Sequence, residues 1–216
     1  MDTQNEMNTG AGGFALSPQQ ARGWEWGRTG GLRISQCVFR IDPGLGVDNL
    51  ESRLATVVRT QEILRTVFVR PPGLSQPLQV VGAGTGPRIV ELDWRGQPAC
   101  QHTDSLRLVC EQIRTEGFDL VAGPLLAMHL VRVCDEFDWL VITAPALVAD
   151  GSGLLRLAKA LLGPVDKEGA GTETIQYGDV ARWLETLVDP EDEDGEEARA
   201  WWSRALLDLP GSPLLC

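Results

Sequence analysis

Two histidines are the residues of this chain best suited to acid–base chemistry, because imidazole titrates nearest neutral pH. His129 stands between Met128 and Leu130 in an apolar run that predicts a strand, so we interpret it as a core or sheet-face histidine. His102 follows Gln101 in a predicted loop, with no nearby Cys or His pair. The sequence therefore predicts neither a catalytic role nor a metal site at these two positions.

Two other segments resemble known binding or catalytic motifs without completing them. Gly82–Gly86 has the glycine content of a phosphate loop, but it lacks the Lys-Ser/Thr ending and precedes a predicted strand rather than a helix. We interpret it as a flexible hairpin connection. Ser152 is not the serine of a G-x-S-x-G nucleophile elbow, because Gly151 adjoins it directly. No residue is predicted to bind a cofactor or a metal.

Composition and charge exclude several classes of function. The 216 residues carry a net charge of -11, which disfavours binding to nucleic acid or to an anionic membrane surface. No run of about 18 apolar residues exists, and the N-terminus lacks the features of a secretory signal. Five cysteines are widely spaced and odd in number, which predicts free thiols in a cytoplasmic protein. They are Cys37, Cys100, Cys110, Cys134 and Cys216.

Helices and strands alternate in the first half of the chain. Ser17 followed by Pro18 predicts the start of a helix, and Leu32–Ile41 predicts a strand. Asp48 and Glu51 resemble a capping box at the start of a second helix. Three short strands are then predicted, over Leu64–Val69, Leu78–Val81 and Arg88–Asp93.

The second half of the chain predicts a helix, a hairpin and three more helices. The first helix spans about residues 103 to 116 and ends at Gly117. The hairpin turns at Asp135-Glu136, and its second arm is apolar on both faces, as in a central strand. One helix follows Asp150, and two amphipathic helices carry Trp183 and Trp202. The fold class is therefore α/β, with a mixed sheet flanked by helices.

The same patterns predict the domain organisation. Residues 1–13 are polar and glycine-rich, and we expect them to be disordered. Residues 14–188 form the folded lobe. Residues 189–197 form an acidic linker, and residues 198–216 form a C-terminal helix and tail.

Four blocks of sequence, in order along nearly the whole chain, resemble the condensation domains of nonribosomal peptide synthetases. The blocks resemble the patterns S-x-A-Q-x-R-x-W, R-H-E-x-L-R-T-x-F, F-D-L-x-x-G-P-L and Y-x-D-x-A-x-W. In this chain they are Ser17–Trp24, Arg59–Phe68, Phe118–Leu125 and Tyr177–Trp183. Trp202 and Leu206 are similar to a further pattern of the family, Y-W-x-x-x-L.

The resemblance implies one lobe of a two-lobed fold related to chloramphenicol acetyltransferase. It also implies an active motif, H-H-x-x-x-D-G, directly after the central strand. Pro145–Gly151 occupies that window, and Ala146 stands where the second histidine belongs. A methyl group can neither transfer a proton nor stabilise charge, and loss of a positioned acid–base group costs about 100- to 10,000-fold in rate. We therefore expect no catalytic residue in this degenerate motif.

Asp150 and Gly151 of the motif are retained. In the family the aspartate pairs with an arginine of the second block, which alignment places at Arg65, so the resemblance implies an Arg65–Asp150 ion pair. Asp150 could instead, or in addition, cap the helix that follows it.

The resemblance also implies an active site in a tunnel between two lobes of similar size. The chain is about half as long as such a two-lobed domain. The leading hypothesis is a non-catalytic partial condensation domain with a structural or docking role beside adenylation and peptidyl-carrier domains. Phosphopantetheine would then belong to a partner carrier protein. Two alternatives remain open. The chain could be half of a split enzyme that acts by positioning with a second lobe, or a self-associating module that forms a homo-oligomer.

Overall fold

A computed structural model describes residues 13–82, 86–163, 175–187 and 193–207. Most of the N-terminal segment predicted to be disordered lies outside these residues, as do the centre of Gly82–Gly86, part of the acidic linker and the tail after residue 207. Gly13, the last residue of that N-terminal segment, is described and belongs to a strand.

The described part of the chain alternates short strands with helices, as the sequence predicts. Its strands are β1 Gly13–Phe14, β2 Ile34–Ile41, β3 Thr66–Val69, β4 Leu78–Val81, β5 Ile89–Asp93, β6 Ala127–Arg132 and β7 Asp138–Pro145. Its helices are α1 Pro18–Gly30, α2 Val47–Thr60, α3 Ala99–Glu116, α4 Gly151–Leu162, α5 Tyr177–Leu187 and α6 Glu193–Leu207. A 3₁₀ turn spans Glu62–Arg65.

The strands form two sheets. The smaller sheet has the order β1-β4-β3 and is antiparallel. The larger sheet has the order β2-β7-β6-β5, in which β5 and β6 are parallel and the other pairs antiparallel. The prediction of an α/β fold with a mixed sheet is confirmed. The hairpin connection predicted at Gly82–Gly86 is wrong, because β4 and β5 on either side of it belong to different sheets.

Strand β7 lies in the middle of the larger sheet and contributes to two hydrophobic cores. Leu140 and Ile142 point into the main core, which α2 and α4 cover from one side. Val141 and the half-buried Trp139 point to the other side, where α3 packs. Because both faces of β7 are covered, its sequence is apolar throughout rather than alternating. The prediction of a central strand here is confirmed.

The start of α1 follows the sequence prediction. Ser17 is the N-cap residue, and its side chain accepts a hydrogen bond of 3.2 Å from the backbone N–H of Gln20. The Gln20 side chain accepts in return from the backbone N–H of Ser17, which completes a capping box. Pro18 occupies the first turn, where its missing N–H costs nothing.

Helices α2 and α6 begin earlier than the sequence predicts. The N-cap of α2 is Gly46, with no side-chain hydrogen bond, so the predicted capping box of Asp48 and Glu51 is wrong. Asp48 lies inside the first turn, where a carboxylate interacts favourably with the helix dipole. Helix α6 begins at Glu193, within the segment predicted to be an acidic linker. Acidic residues suit the first turn of a helix for the same reason.

Candidate functional site

The turn between β7 and α4 carries the window that the sequence singles out. Pro145 is the last residue of β7 and lies opposite Ile34 of β2. Ala146 follows with an exposed side chain, and its backbone N–H donates a hydrogen bond of 2.8 Å to the carbonyl oxygen of Arg33. The N–H groups of Val148 and Ala149 donate to the carbonyl oxygen of Pro145. The turn is therefore held by its own backbone, and the side chain of residue 146 is free to face solvent.

Asp150 caps α4, which begins at Gly151. Its side chain accepts a hydrogen bond of 2.7 Å from the backbone N–H of Gly153. Of the two roles considered for Asp150 from the sequence, the structure contains the helix cap.

The ion pair expected between Arg65 and Asp150 is not formed. Arg65 pairs instead with Glu62, at 3.2 Å. Residues three positions apart lie on the same side of a 3₁₀ turn, so the turn over Glu62–Arg65 brings the two side chains together. The Nε of Arg65 is buried and has no hydrogen-bond partner among the described residues. The side chain borders an open cleft of about 500 Å³ between α2 and the start of β5, together with Arg59.

A buried polar network ties this turn to the rest of the lobe. The side-chain amide of Gln20 donates both to the carbonyl oxygen of Leu147 and to the side-chain oxygen of Gln79, each at 2.9 Å. Gln79 donates to the carbonyl oxygen of Ala15 at 2.8 Å. Both glutamines are at most 3% exposed. The sequence block that begins at Ser17 therefore stabilises the turn that carries Ala146 through the hydrogen bond from Gln20.

A cavity of about 170 Å³ opens directly beside Ala146. Residues of α1 form one wall, and Leu32, Arg33 and Leu147 form the rest. Helix α1 lies close to the turn here, because a Cβ added to Gly23 would stand 3.2 Å from the side chain of Leu147. Among the described residues, Arg33 is the one charged side chain in the lining, and its guanidinium carbon lies 5.0 Å from the centre of the Trp26 ring.

Sequence reasoning missed the contribution of Arg33 and Trp26 to this site. The two residues flank Gly30-Gly31, and no motif marks them. Only the pairing of β2 with β7 brings Arg33 beside Ala146, and that pairing joins segments more than 100 residues apart. No local sequence signal reports such a contact.

His102 lies far from the turn. It belongs to α3 rather than to a loop, which corrects the prediction, because α3 begins at Ala99. Its buried ring packs on Trp94 and Trp139, and its Nε2 lies 3.2 Å from the carbonyl oxygen of Gln97. Trp139 precedes Ala146 by seven residues, or about 23 Å of strand.

His129 also lies far from the turn. It is a half-buried sheet-face residue of β6, as predicted, and it stands opposite Val141 of β7. Val141 precedes Ala146 by five residues, or about 16 Å of strand. The Nδ1 of His129 is buried without a hydrogen-bond partner among the described residues, and burial lowers the pKa of the imidazole below its usual 6.5.

No other chemistry is assembled in the described part of the chain. No three His, Cys, Asp or Glu residues come together there in a way that could hold a metal ion. The four described cysteines are free thiols, as predicted. None of the described helices has the length and apolar character needed to cross a bilayer.

The two last helices leave large apolar side chains exposed. Trp183 and Leu187 of α5 are 60% and 53% exposed, and Trp201 and Trp202 of α6 are 56% and 58% exposed. On the face predicted for α5, Val180 and Leu184 are half-buried, whereas Trp183 and Leu187 remain exposed. On α6, Trp202 of the predicted face is exposed and Leu209 lies outside the described residues. Exposed patches of this kind are typical of surfaces that contact another protein or domain.

Comparison with protein families matches the Condensation domain model over residues 14–214. The chain is 30% identical over 212 residues to AMB antimetabolite synthetase AmbE of Pseudomonas aeruginosa, covering 94% of this chain and 9% of that protein. It is 29% identical over 183 residues to phosphinothricin tripeptide synthetase PhsC of Streptomyces viridochromogenes, covering 80% and 17%.

Solved condensation-domain structures share the fold. A variant of the starter condensation domain of rhizomide synthetase RzmA matches with a TM-score of 0.75 at 15% identity, over 92% of this chain and 46% of that one. The cyclization-docking bidomain of EpoB from Sorangium cellulosum matches with a TM-score of 0.73 at 22% identity, over 92% and 39%. The chain thus spans half or less of these structures and a small fraction of the curated synthetases.

Proposed function

The chain belongs to the condensation-domain family, and from this premise we propose that it is a non-catalytic partial condensation domain of a nonribosomal peptide synthetase. The observation that carries the proposal is the exposed methyl group of Ala146 at the end of β7. The resemblance of the Pro145–Gly151 window to H-H-x-x-x-D-G aligns this position with the histidine on which amide formation depends.

The chemistry of amide formation explains why this position matters. An amine that attacks a thioester must lose a proton, and the tetrahedral intermediate carries developing charge. An imidazole at the end of β7 can serve both needs, whereas alanine has no proton to exchange and no polar atom on its side chain. Pro145, the preceding residue, has no backbone N–H either. Arg33 cannot substitute as a base, because a guanidinium remains protonated at all physiological pH values.

The positions of the two histidines also support the proposal. His102 and His129 both lie on the side of the larger sheet that α3 covers, about 23 Å and 16 Å of strand from Ala146. Neither can reach a substrate held at the turn without unfolding of the sheet. The described residues thus give the site a scaffold and a cavity, but place no imidazole at the turn.

Adenylation and peptidyl-carrier domains are the partners that the synthetase context implies. The proposed role is structural or docking, with phosphopantetheine carried by the partner. At a net charge of -11, the chain must contact an acidic carrier domain through local patches rather than through its overall field.

A single-turnover condensation assay tests the proposal. The 216-residue chain is mixed with a donor carrier loaded with an acyl group and an acceptor carrier loaded with an amino acid, and amide product is followed by intact-protein mass spectrometry. We expect no more product than in a mixture without the chain. An active condensation domain with its own carriers is the positive control. Product that depends on the chain would refute the proposal, because it would require catalysis without the imidazole.

A second candidate function is supported by the exposed side chains of α5 and α6. The solved relatives are about twice as long as this chain, so a separate second lobe could cover Trp183, Trp201 and Trp202 and form a split enzyme that acts by positioning. Mixing the chain with the C-terminal half of the RzmA starter condensation domain tests this by light scattering. A one-to-one complex that is lost in Trp201→Ser/Trp202→Ser, but kept in Leu108→Ser on α3, supports a second lobe. A dimer of this chain alone supports self-association instead.

A further inference from the structure

The cavity beside Ala146 has an apolar floor and a cationic rim. Leu32, Leu147 and the methyl group of Ala146 contribute apolar surface. Its volume of about 170 Å³ has room for about six water-sized groups. The cavity beside it, which shares Trp26 and Arg33, extends the same depression toward solvent. A ligand with a short apolar body fits these dimensions.

The arginine of the cavity lining has no acidic partner in the described part of the chain. Arg33 has no hydrogen bond or ion pair to a carboxylate among the described residues, and its side chain contacts the Trp26 ring. Glu25 of α1 pairs with Arg28 at 3.2 Å. No carboxylate of the described residues lines the cavity.

The contact between Arg33 and Trp26 involves the aromatic ring and no hydrogen-bond acceptor. A guanidinium that lies over an aromatic ring uses its flat face and keeps its N–H donors at the rim available. Those donors form a planar fork that matches a carboxylate in two parallel hydrogen bonds. The side-chain amide of Gln19, which also lines the cavity, supplies a further donor.

We propose that this cavity binds a small organic carboxylate, with its acid group on Arg33 and its apolar body on Leu32, Leu147 and Ala146. Binding of this kind needs no imidazole, so it goes beyond the proposed function and does not depend on it. It also gives the alanine a positive role, because a larger side chain at position 146 would occupy the space that the ligand takes.

Ligand-observed NMR titration of the whole chain tests the proposal, with hexanoate and benzoate as probes. We expect saturable binding, with a Kd on the order of 1 mM. Hexanamide, which has the same shape without the charge, should bind at least about tenfold more weakly, since hydrogen bonds to charged groups contribute most of the affinity. Inorganic phosphate should also bind at least about tenfold more weakly, because it has no apolar body to bury.

Three variants locate the site. Arg33→Gln should weaken hexanoate binding by about tenfold or more through loss of the charged fork. Ala146→Leu should weaken it similarly by filling the cavity. Arg107→Gln, which removes an exposed arginine from α3, is the matched control and should change nothing. Equal thermal midpoints for all four proteins ensure that folding is not the cause.

Several outcomes overturn the inference. They are absence of saturable binding by both probes, equal binding of hexanamide, equal or tighter binding of phosphate, and unchanged binding in either Arg33→Gln or Ala146→Leu. Because the titration contains no carrier protein and no thioester, failure here leaves the proposed lack of condensation activity untouched. Turnover in the condensation assay would in turn leave this binding result untouched.

Discussion

The side-chain amide of Gln20 lies 2.9 Å from the carbonyl oxygen of Leu147 and donates a hydrogen bond to it. Helix α1 is thereby fastened to the turn that carries Ala146, through a glutamine that is 3% exposed. The same amide binds Gln79, so the smaller sheet takes part in the connection.

Replacing Gln20 by leucine should lower the free energy of unfolding by about 2–4 kcal/mol. The change removes the partners of Gln79 and of the Leu147 carbonyl, and each buried polar group left unpaired costs about 1–3 kcal/mol. Urea unfolding measures the difference. Gln19→Leu, at the exposed neighbouring position, is the control and should stay within about 0.5 kcal/mol of the parent. Equal losses in both variants would contradict the stabilising role of Gln20.

Asp150 should stabilise the protein as a helix cap and not as the partner of Arg65. Asp150→Ala should cost about 0.5–2 kcal/mol, whereas Asp150→Asn, which can still accept from Gly153, should cost a few tenths. A double-mutant cycle of Asp150→Ala with Arg65→Gln should give a coupling energy below about 0.5 kcal/mol. A coupling above about 1 kcal/mol would restore the ion pair that the family resemblance implies.

The ion pair between Arg132 and Asp138 should contribute more to folding than the other ion pair of the same arginine. Asp138 is 1% exposed and lies 2.6 Å from Arg132, at the turn end of the β6–β7 hairpin. Asp138→Ala leaves the largely buried Arg132 with only the exposed carboxylate of Glu91, removes the acceptor of the Val133 N–H, and should cost about 2–4 kcal/mol. Glu91→Ala removes the exposed partner and should cost less than about 1 kcal/mol. A reversed order in chemical denaturation would refute this assignment.

The protein should lose stability as the pH falls below the usual pKa of histidine. Burial lowers the pKa of His129 in the folded state, so the unfolded chain binds a proton more readily as the pH drops through 6.5. The stability that the neutral His129 contributes is fully present above pH 6.5 and declines as the pH falls below it. His129→Leu should flatten the dependence of the urea midpoint on pH between about 5 and 7.5.

A matched variant checks the sign of this effect. Glu116 raises the pKa of His129 by its negative charge, in opposition to burial. Glu116→Gln should therefore lower that pKa further and steepen the fall in stability with acid. A flatter profile in Glu116→Gln, or an unchanged profile in His129→Leu, would contradict the assignment.

Local signals in the sequence predicted much of the fold. The Ser17-Pro18 start of α1 and the limits of β4 agree with the structure, because caps and short apolar runs act through neighbouring residues. The start of α2 was wrong, since Gly46 carries no side chain that could reveal it as a cap. The loop predicted at His102 was wrong, because α3 begins at Ala99 with Pro98 as its N-cap, about four residues earlier than the predicted start.

Long-range relationships at the site were harder to predict. The degenerate window at Ala146 is visible in the sequence because its motif is contiguous. The cavity is not, since it depends on Arg33 lying beside Ala146 through the pairing of β2 with β7. The predicted ion pair of Arg65 with Asp150 was wrong for a related reason. The 3₁₀ turn brings Glu62, three residues earlier, beside Arg65. Resemblance to a family does not show that a nearby carboxylate competes with Asp150 for the arginine.

Strand β7 ends with a sharp change of environment between Ala144, which is fully buried, and Ala146, which faces solvent. The two alanines are only two residues apart, yet Ala144 belongs to the hydrophobic core and Ala146 does not. A change of side chain at position 146 should therefore have little structural consequence, whereas a change in the strand just before it would disturb the core. The group presented at this turn can differ from chain to chain while the lobe keeps its fold.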